Sequence, residues 1–296
     1  MKLIAIRLIL CFSLAFVLSQ ISLRPNRADS DPDGQQVTVP IEEKTIDLPG
    51  SRGARRFERI QKDHQIGFGA DDRQPMLSHR YPWGAIGRVE LSTGGFCTGA
   101  LVGEDLLLTN AHCVLNEGGL VKVKFKPNYM NGSAPEEVDS VWVWYGTSNP
   151  DLHRASDWAL IRLERPIGRT YGWFGLSTRN DEWLLNRSVT FAGYSTFANE
   201  QREIFKGGET AGVDIGCSIT KVENGIVSTS CDTGRGSSGG PVFIWQNNLP
   251  YIIALNAAEY RGNLPESFWR DQKYAIDFGN VTVPTRNFFR AMPDQR

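Results

Sequence analysis

The sequence has few histidines, almost no net charge, and no long hydrophobic run beyond its first twenty residues. Its four histidines, at positions 64, 79, 112 and 153, lack the spacing of a zinc site, so no metal is expected. A formal net charge of -1 argues against nucleic acid as the main partner. No internal repeat or low-complexity tract is present, which argues against a repeat architecture.

The one long apolar run lies at the N-terminus. Lys2 and Arg7 precede the run, residues 8–18 are mostly apolar, and the small residue Ser19 follows. This order predicts a secretory signal peptide over residues 1–19, cleaved after Ser19. A retained membrane anchor is the alternative, but the run is shorter than the roughly 20 apolar residues that a membrane span needs. No membrane span is expected once the signal is removed.

Five cysteines are an odd number for an exported protein, and the signal peptide accounts for one of them. Cys11 would be removed with the signal, which leaves Cys97, Cys113, Cys217 and Cys231. An even number of cysteines in an oxidising compartment predicts two disulfides, and their order along the chain favours Cys97–Cys113 and Cys217–Cys231. Each would close a short loop and contribute about 3 kcal/mol. We therefore expect an extracellular or periplasmic protein.

Two regions of different composition follow the signal. Residues 20–65 are rich in Arg, Asp, Glu, Pro and Gln and poor in aromatics, which predicts a propeptide or a flexible linker. In residues 66–296, short apolar segments alternate with Gly, Asn, Asp and Pro turns, which predicts an all-β sandwich or barrel. The ten apolar segments cover residues 83–91, 96–102, 105–111, 120–125, 140–146, 157–164, 188–195, 225–230, 240–245 and 250–258. The pattern over 283–292 is the best candidate for a helix.

Three short stretches carry residues suited to nucleophilic catalysis. In LLLTNAHCV, an apolar strand ends in a turn that presents His112, and histidine is the usual general base near neutral pH. In SDWALIRLE, Asp157 precedes an alternating strand, where a carboxylate can orient an imidazole. In TGRGSSGGPVF, glycines surround Ser238 and allow backbone N–H groups to gather, as an oxyanion hole requires.

In this order, TNAHC, DWALIRL and GSSGGP resemble the His, Asp and Ser motifs of trypsin-like serine proteases of the chymotrypsin clan. FCTGALV ahead of LLLTNAHC extends the resemblance, which runs from about Gly69 to the C-terminus. ADDR (70–73) and CDT (231–233) are similar to segments of the bacterial branch that includes the V8-like glutamyl endopeptidases. The resemblance implies an all-β fold of two six-stranded antiparallel β-barrels with a C-terminal helix.

The resemblance also implies a role for each catalytic residue of a secreted serine endopeptidase. Ser238 would attack the scissile carbonyl, His112 would take its proton and pass it to the leaving amine, and Asp157 would hold the histidine tautomer. Backbone N–H groups of Gly236 and Ser238 would bind the oxyanion. No metal or organic cofactor is needed. The expected partners are protein or peptide substrates, and the expected state is a monomer made as a zymogen.

The residues predicted to line the primary substrate pocket favour different substrate residues before the scissile bond. Asp232 falls where trypsin carries its pocket Asp, which favours Arg or Lys before the scissile bond. Thr233 falls where glutamyl endopeptidases carry a pocket Thr, but Asn256 stands in place of their pocket His. Glu259 would repel a substrate carboxylate. We therefore expect a basic residue before the scissile bond.

The residue before Ser238 departs from the trypsin pattern. Trypsin carries an Asp there, which pairs with a new N-terminus when the zymogen is cut. Ser237 cannot form that ion pair. Activation of this chain is therefore expected to work differently.

Two other interpretations remain open from the sequence. GSSGG also matches the G-x-S-x-G elbow of an α/β-hydrolase esterase, but that fold needs its catalytic histidine after the serine, and all four histidines precede Ser238. The second alternative is a protease-like binding module without activity. Labelling of Ser238 with a fluorophosphonate would separate this module from an enzyme.

Overall fold

The structure consists of short strands that alternate along the chain with tight turns, as the sequence pattern predicts. The computed structural model describes residues 45–46, 73–196, 207–259 and 280–293, with backbone alone for Thr45, Ile46 and Glu259. All of these residues belong to one unit, Ile41–Arg296. The predicted signal peptide and most of the predicted pro-segment lie outside the described residues.

Six antiparallel strands between residues 86 and 163 close into a first barrel. The strands are β3 (Ile86–Leu91), β4 (Phe96–Leu101), β5 (Leu106–Thr109), β8 (Val123–Pro127), β9 (Val138–Tyr145) and β10 (Ala159–Leu163). Their order around the barrel is β10-β5-β4-β3-β8-β9. Alternate residues such as Val89, Phe125 and Ile161 are fully buried, as the period of two in a strand requires.

A second barrel follows in residues 188–284. The strands are β12 (Ser188–Gly193), β13 (Gly212–Glu223), β14 (Ile226–Thr229), β15 (Pro241–Gln246), β16 (Leu249–Glu259) and β17 (Asn280–Pro284). Their order around the barrel is β16-β15-β12-β13-β14-β17, and pairing of β16 with β17 closes it. Every pairing in the barrel is antiparallel. The predicted all-β fold of two six-stranded barrels is therefore confirmed.

Short strands at the periphery extend the second barrel. β2 (Gln74–Pro75) pairs with β13, and the buried Arg73 ahead of it donates a hydrogen bond to Ser195 Oγ at 2.8 Å. β11 (Gly175–Ser177) runs parallel to β16. β1 (Thr45–Ile46), which falls within the predicted pro-segment, pairs with β11.

The remaining elements are small. β6 (Leu115–Asn116) and β7 (Gly119–Leu120) form a hairpin, and α1 (Gly168–Tyr171) and α2 (Asp181–Leu184) are single-turn helices. In the described part of the chain, no helix has the length and apolar character needed to cross a membrane.

The C-terminal helix predicted over 283–292 is not a continuous α-helix. The segment begins as the end of β17 and then forms two 3₁₀ turns, Thr285–Asn287 and Phe289–Ala291. The apolar residues whose spacing suggested a helical face include Phe288, which is completely buried. The centroid of the Phe288 ring lies 6.3 Å from that of Trp158. The turn before it is fixed by a hydrogen bond from Thr285 Oγ1 to the Ile252 carbonyl at 3.0 Å.

Candidate active site

His112 lies in a 3₁₀ turn, Ala111–Cys113, directly after β5. A disulfide joins Cys113 to Cys97 on β4, and therefore anchors this turn to the neighbouring strand. The second predicted disulfide, Cys217–Cys231, joins β13 to the segment that precedes the serine loop. Both predicted disulfides are confirmed.

Asp157 follows the 3₁₀ turn Arg154–Ser156 and directs its carboxylate at His112. Its Oδ2 atom lies 2.7 Å from His112 Nδ1, and its Oδ1 atom accepts a hydrogen bond from the His112 backbone N–H at 3.0 Å. The Asp157 side chain is 7% exposed and that of His112 is 34% exposed. A buried carboxylate that accepts from Nδ1–H leaves Nε2 of the ring as the proton acceptor.

Ser238 lies in a loop of tight turns between β14 and β15. The Ser237 N–H donates to the Gly234 carbonyl, and the Ser237 hydroxyl accepts from the Gly234 N–H at 2.7 Å. Gly239 has a φ of +82°, and a Cβ atom there would lie 2.1 Å from the Thr98 carbonyl oxygen. Only glycine therefore fits at this position. Ser237, which replaces the trypsin Asp, holds the turn through hydrogen bonds rather than through an ion pair.

A short series of contacts links Ser238 to the turn that carries His112. The Ser238 carbonyl accepts a hydrogen bond from the Thr98 N–H at 2.7 Å. Thr98 follows Cys97, whose disulfide leads to Cys113 beside His112. The Ser238 hydroxyl donates to the Ala257 carbonyl at 3.2 Å. The serine loop of the second barrel is therefore tied to the histidine turn of the first.

Three predicted pocket residues lie around the same loop. The Asp232 N–H donates to Asp214 Oδ2 at 2.8 Å, and the Thr233 hydroxyl donates to Asn280 Oδ1 at 2.9 Å. Asn256 is buried, and its amide donates to the Ser237 carbonyl at 3.2 Å. The side chain of Glu259, the fourth predicted pocket residue, lies outside the described residues.

Two residues at the site were not predicted from the sequence. Thr98 on β4 is fully buried, and its hydroxyl donates to the Gly236 carbonyl at 3.0 Å. Asn280 at the start of β17 contacts Thr233 and also donates to the Cys231 carbonyl. Thr98 is a polar residue inside the apolar strand β4, and Asn280 is the polar first residue of β17; neither carries any other sequence signal.

Two clusters in the described part of the chain combine metal-ligating residue types. One contains His112 with two cysteines, and the other contains Asp214 with two cysteines. In each cluster the two sulfurs are bonded to each other as a disulfide, so they are not thiolate ligands. The clusters therefore arise from the disulfides, and neither offers a complete set of metal ligands.

These features define a class of protein. Two six-stranded barrels, with a paired His and Asp on one and a glycine-rich serine loop on the other, are the scaffold of chymotrypsin-like serine proteases. The sequence model of the family described as Trypsin matches residues 73–274, about two thirds of the chain. The chain therefore belongs to the trypsin family.

Curated relatives agree with this membership. A glutamyl endopeptidase of Bacillus licheniformis is 30% identical over 187 residues, which is 60% of this chain and 54% of the relative. Human serine protease 23 is 25% identical over 222 residues, which is 66% of this chain and 53% of the relative. The chain thus spans about half the length of the curated relatives it matches. The resemblance to the glutamyl endopeptidase branch is confirmed.

Solved structures share the fold. A Glu endopeptidase in complex with MPD has a TM-score of 0.59 at 20% identity, over 76% of this chain and 99% of that one. The thermostable serine protease AL20 has a TM-score of 0.54 at 16% identity, over 71% of this chain and 97% of that one. At these identities the likeness concerns the fold alone.

Proposed function

We propose that this chain is a secreted serine endopeptidase that hydrolyses peptide bonds through His112, Asp157 and Ser238. The contact between His112 Nδ1 and Asp157 Oδ2, at 2.7 Å, is the observation that carries the proposal. It holds the imidazole with Nε2 as the free base, which is the protonation state that can activate a serine hydroxyl. Residues 1–19 would be the signal peptide, 20–65 a pro-segment and 66–296 the protease domain.

The first half of the reaction forms an acyl-enzyme. The Ser238 hydroxyl turns from the Ala257 carbonyl toward His112, and its oxygen attacks the substrate carbonyl carbon while its proton passes to Nε2. The backbone N–H groups of Gly236 and Ser238 hold the negative oxygen of the tetrahedral intermediate. The C–N bond then breaks, and the proton on Nε2 moves to the leaving amine.

The second half releases the acid product. Water attacks the ester carbon of the acyl-enzyme and gives a proton to Nε2 of His112. The bond between the carbon and Ser238 Oγ breaks, and that proton returns to Oγ. Asp157 stabilises the imidazolium that forms twice in the cycle and remains a carboxylate throughout. No metal or organic cofactor takes part.

We propose a basic residue before the scissile bond. The matched bacterial relative is named for glutamyl specificity, but the buried amide of Asn256 carries no positive charge to pair with a substrate Glu. Asp232 supplies a carboxylate at the pocket position that favours Arg or Lys. A diverse peptide library digested by the mature protein, with cleavage sites determined by mass spectrometry, tests this. Asp232→Asn should selectively reduce cleavage after Arg and Lys, and cleavage only after Glu would contradict the proposal.

A fluorophosphonate probe tests the function itself. The mature protein should form a covalent adduct on Ser238, and a Ser238→Ala variant of equal thermal stability should form none. Absence of an adduct on the folded wild-type protein would reject the enzyme and indicate the inactive binding module instead. Size-exclusion chromatography tests the expected monomer.

A further inference from the structure

We propose that Thr98 is a positioning residue for the oxyanion-binding backbone. Its buried hydroxyl holds the carbonyl of Gly236 and so sets the orientation of the peptide groups that would bind the oxyanion. This inference rests on the proposed serine-endopeptidase function. It concerns a side chain of the first barrel that would act on a loop of the second.

The Thr98 hydroxyl is fully engaged between the barrels. Thr98 has no exposed surface, and its Oγ1 atom donates to the Gly236 carbonyl at 3.0 Å and accepts from the Tyr194 N–H at 2.9 Å. A threonine hydroxyl has one hydrogen, which this geometry assigns to Gly236. The hydroxyl therefore joins β4 to the end of β12 and to the serine loop at a single point.

Gly236 needs such an external restraint. Its φ is +102°, and glycine has the widest range of backbone conformations of any residue. The N–H group proposed for the oxyanion belongs to the peptide before Gly236, and the carbonyl belongs to the peptide after it. Free rotation at Gly236 would let the two peptide planes turn relative to each other. Neighbouring groups must therefore set their angle.

The peptide after Gly236 is held at both of its polar atoms. Thr98 donates to its carbonyl oxygen, and its N–H, which belongs to Ser237, donates to the Gly234 carbonyl at 2.9 Å. The preceding peptide, which carries the Gly236 N–H, is held through the Arg235 carbonyl, which accepts from the Thr196 N–H at 2.8 Å. With both planes held, the angle between them at Gly236 is set. Removal of the Thr98 hydroxyl would release one of the two anchors of the peptide after Gly236.

A second side chain of β4 supports the same glycine. Phe96 precedes Thr98 by two residues and so lies on the same face of the strand. A Cβ atom on Gly236 would lie 2.3 Å from Phe96 Cε2, so the ring is in close contact with the glycine. The Arg88 guanidinium lies 3.9 Å from the centre of that ring and covers it. Gly236 is therefore confined by the Phe96 ring and by the Thr98 hydroxyl.

The test compares three variants of the full chain. Each variant is exported and therefore processed in the same way as the wild-type protein. Thr98→Val keeps the shape of the side chain and removes the hydroxyl, whereas Thr98→Ser keeps the hydroxyl. Thr285→Val is the matched control, because it also removes a buried threonine bond to a backbone carbonyl, that of Ile252. The probe is a fluorophosphonate, and the readouts are its second-order rate constant and the fraction of protein that it labels.

A positioning role predicts a change in rate per folded molecule. Thr98→Val should react about 10- to 100-fold more slowly, which is less than the loss of a whole oxyanion donor and at most that of a group misplaced by about 1 Å. Its labelled fraction and the midpoint of its pH–rate profile should stay unchanged. Peptide hydrolysis should lose kcat with little change in KM. Thr98→Ser should restore the rate to within about threefold, and Thr285→Val should react at the wild-type rate.

The opposite outcomes are equally distinct. Folded Thr98→Val that reacts within about threefold of wild type would overturn the inference and leave the proposed function intact. A reduced labelled fraction at an unchanged rate would assign Thr98 a structural role only, which also overturns it. If Thr98→Val does not fold, Thr98→Ala is subject to the same criteria. A folded wild-type protein that does not react would overturn the proposed function, and this inference with it.

Discussion

The two barrels position their parts of the candidate site in different ways. In the first barrel, His112 and Asp157 contact each other directly, through two hydrogen bonds to one carboxylate. In the second barrel, the serine loop is held both by Asn256 on β16 of the same barrel and by Thr98 of the first barrel. Four of the second barrel's strand pairings also contain a register shift, at β12–β13, β13–β14, β15–β16 and β16–β17.

This difference indicates a dependence in one direction. The hydrogen bonds between His112 and Asp157 lie within one barrel, whereas the serine loop is also hydrogen-bonded to the other barrel. Damage to β4 should therefore disturb both halves of the site. Damage to the second barrel should leave the His112–Asp157 pair unchanged. The following experiments test this asymmetry, beginning with the largest expected effect.

The largest effect should come from removing one catalytic side chain from each barrel. We expect Ser238→Ala and His112→Ala each to lower kcat by about 10⁶-fold, and the double variant to be no worse than either, because the two groups act as a unit. Steady-state kinetics on one peptide substrate measures this, with thermal unfolding as the check on folding. Losses that multiply in the double variant would show that the two barrels act independently.

Removal of the disulfide in the first barrel and removal of the disulfide in the second barrel should change different kinetic parameters. Replacing either cysteine pair with alanine should lower the free energy of unfolding by about 3 kcal/mol, since the two loops are similar in length, with sequence separations of 16 and 14. Loss of Cys97–Cys113 should mainly lower kcat, because it releases the histidine turn. Loss of Cys217–Cys231 should mainly raise KM, because it releases the pocket segment.

Urea denaturation and steady-state kinetics of the two double variants check this prediction. If both variants changed the same kinetic parameter, the proposed division between the barrels would be wrong. Unchanged stability in both would contradict a structural role for the disulfides.

Asn280 offers a smaller and more local perturbation of the second barrel. Asn280→Ala removes the contacts to Thr233 and Cys231, and we expect KM to rise about tenfold, which corresponds to about 1.4 kcal/mol, with kcat nearly unchanged. Asn180→Ala is the control, because it removes the N-cap bond of α2 to Trp183 at the surface. An equal rise in KM for the control would show a general loss of packing instead.

The smallest effect should come from Asn287, which joins the barrels at the side of Asp157. Its amide donates to the Ala155 carbonyl at 2.7 Å and to the Gly225 carbonyl at 2.9 Å. Asn287→Ala should lower the free energy of unfolding by about 1–2 kcal/mol and change kcat less than about threefold. Chemical denaturation with parallel kinetics measures both. A large fall in kcat would mean that the His112–Asp157 pair also depends on the second barrel.

The sequence predicted the parts of the fold that follow a simple period. Each of the ten predicted apolar segments overlaps a strand of a barrel, because alternating burial is visible in the residues themselves. β13 was not predicted, since Gly216, at a φ of +88°, and a register shift interrupt its alternation. The segment after β17 was predicted as a helix because Phe288, Phe289 and Met292 have helical spacing, which two 3₁₀ turns also satisfy.

The candidate site was predictable where a motif carries the chemistry, and not where a distant contact does. His112, Asp157 and Ser238 lie in short stretches whose residue types point to acid–base and nucleophilic chemistry. Thr98 acts on a residue 138 positions away, and Asn280 on one 47 positions away. No local pattern encodes such pairs, because their proximity exists only after both barrels have closed.

Each end of the described chain contacts the barrel that is farther from it in sequence, and this has a consequence for biosynthesis. β2, which is translated before the first barrel, pairs with β13 of the second barrel, and Phe288, which is translated after the second barrel, packs on Trp158 of the first. A chain of which only the first barrel has been translated therefore lacks β13, the partner of β2, and also lacks Phe288, the partner of Trp158. The last of these contacts can form only once residues 280–293 have been made. For a chain that is exported, proteolytic competence would thus arise late, away from the site of synthesis.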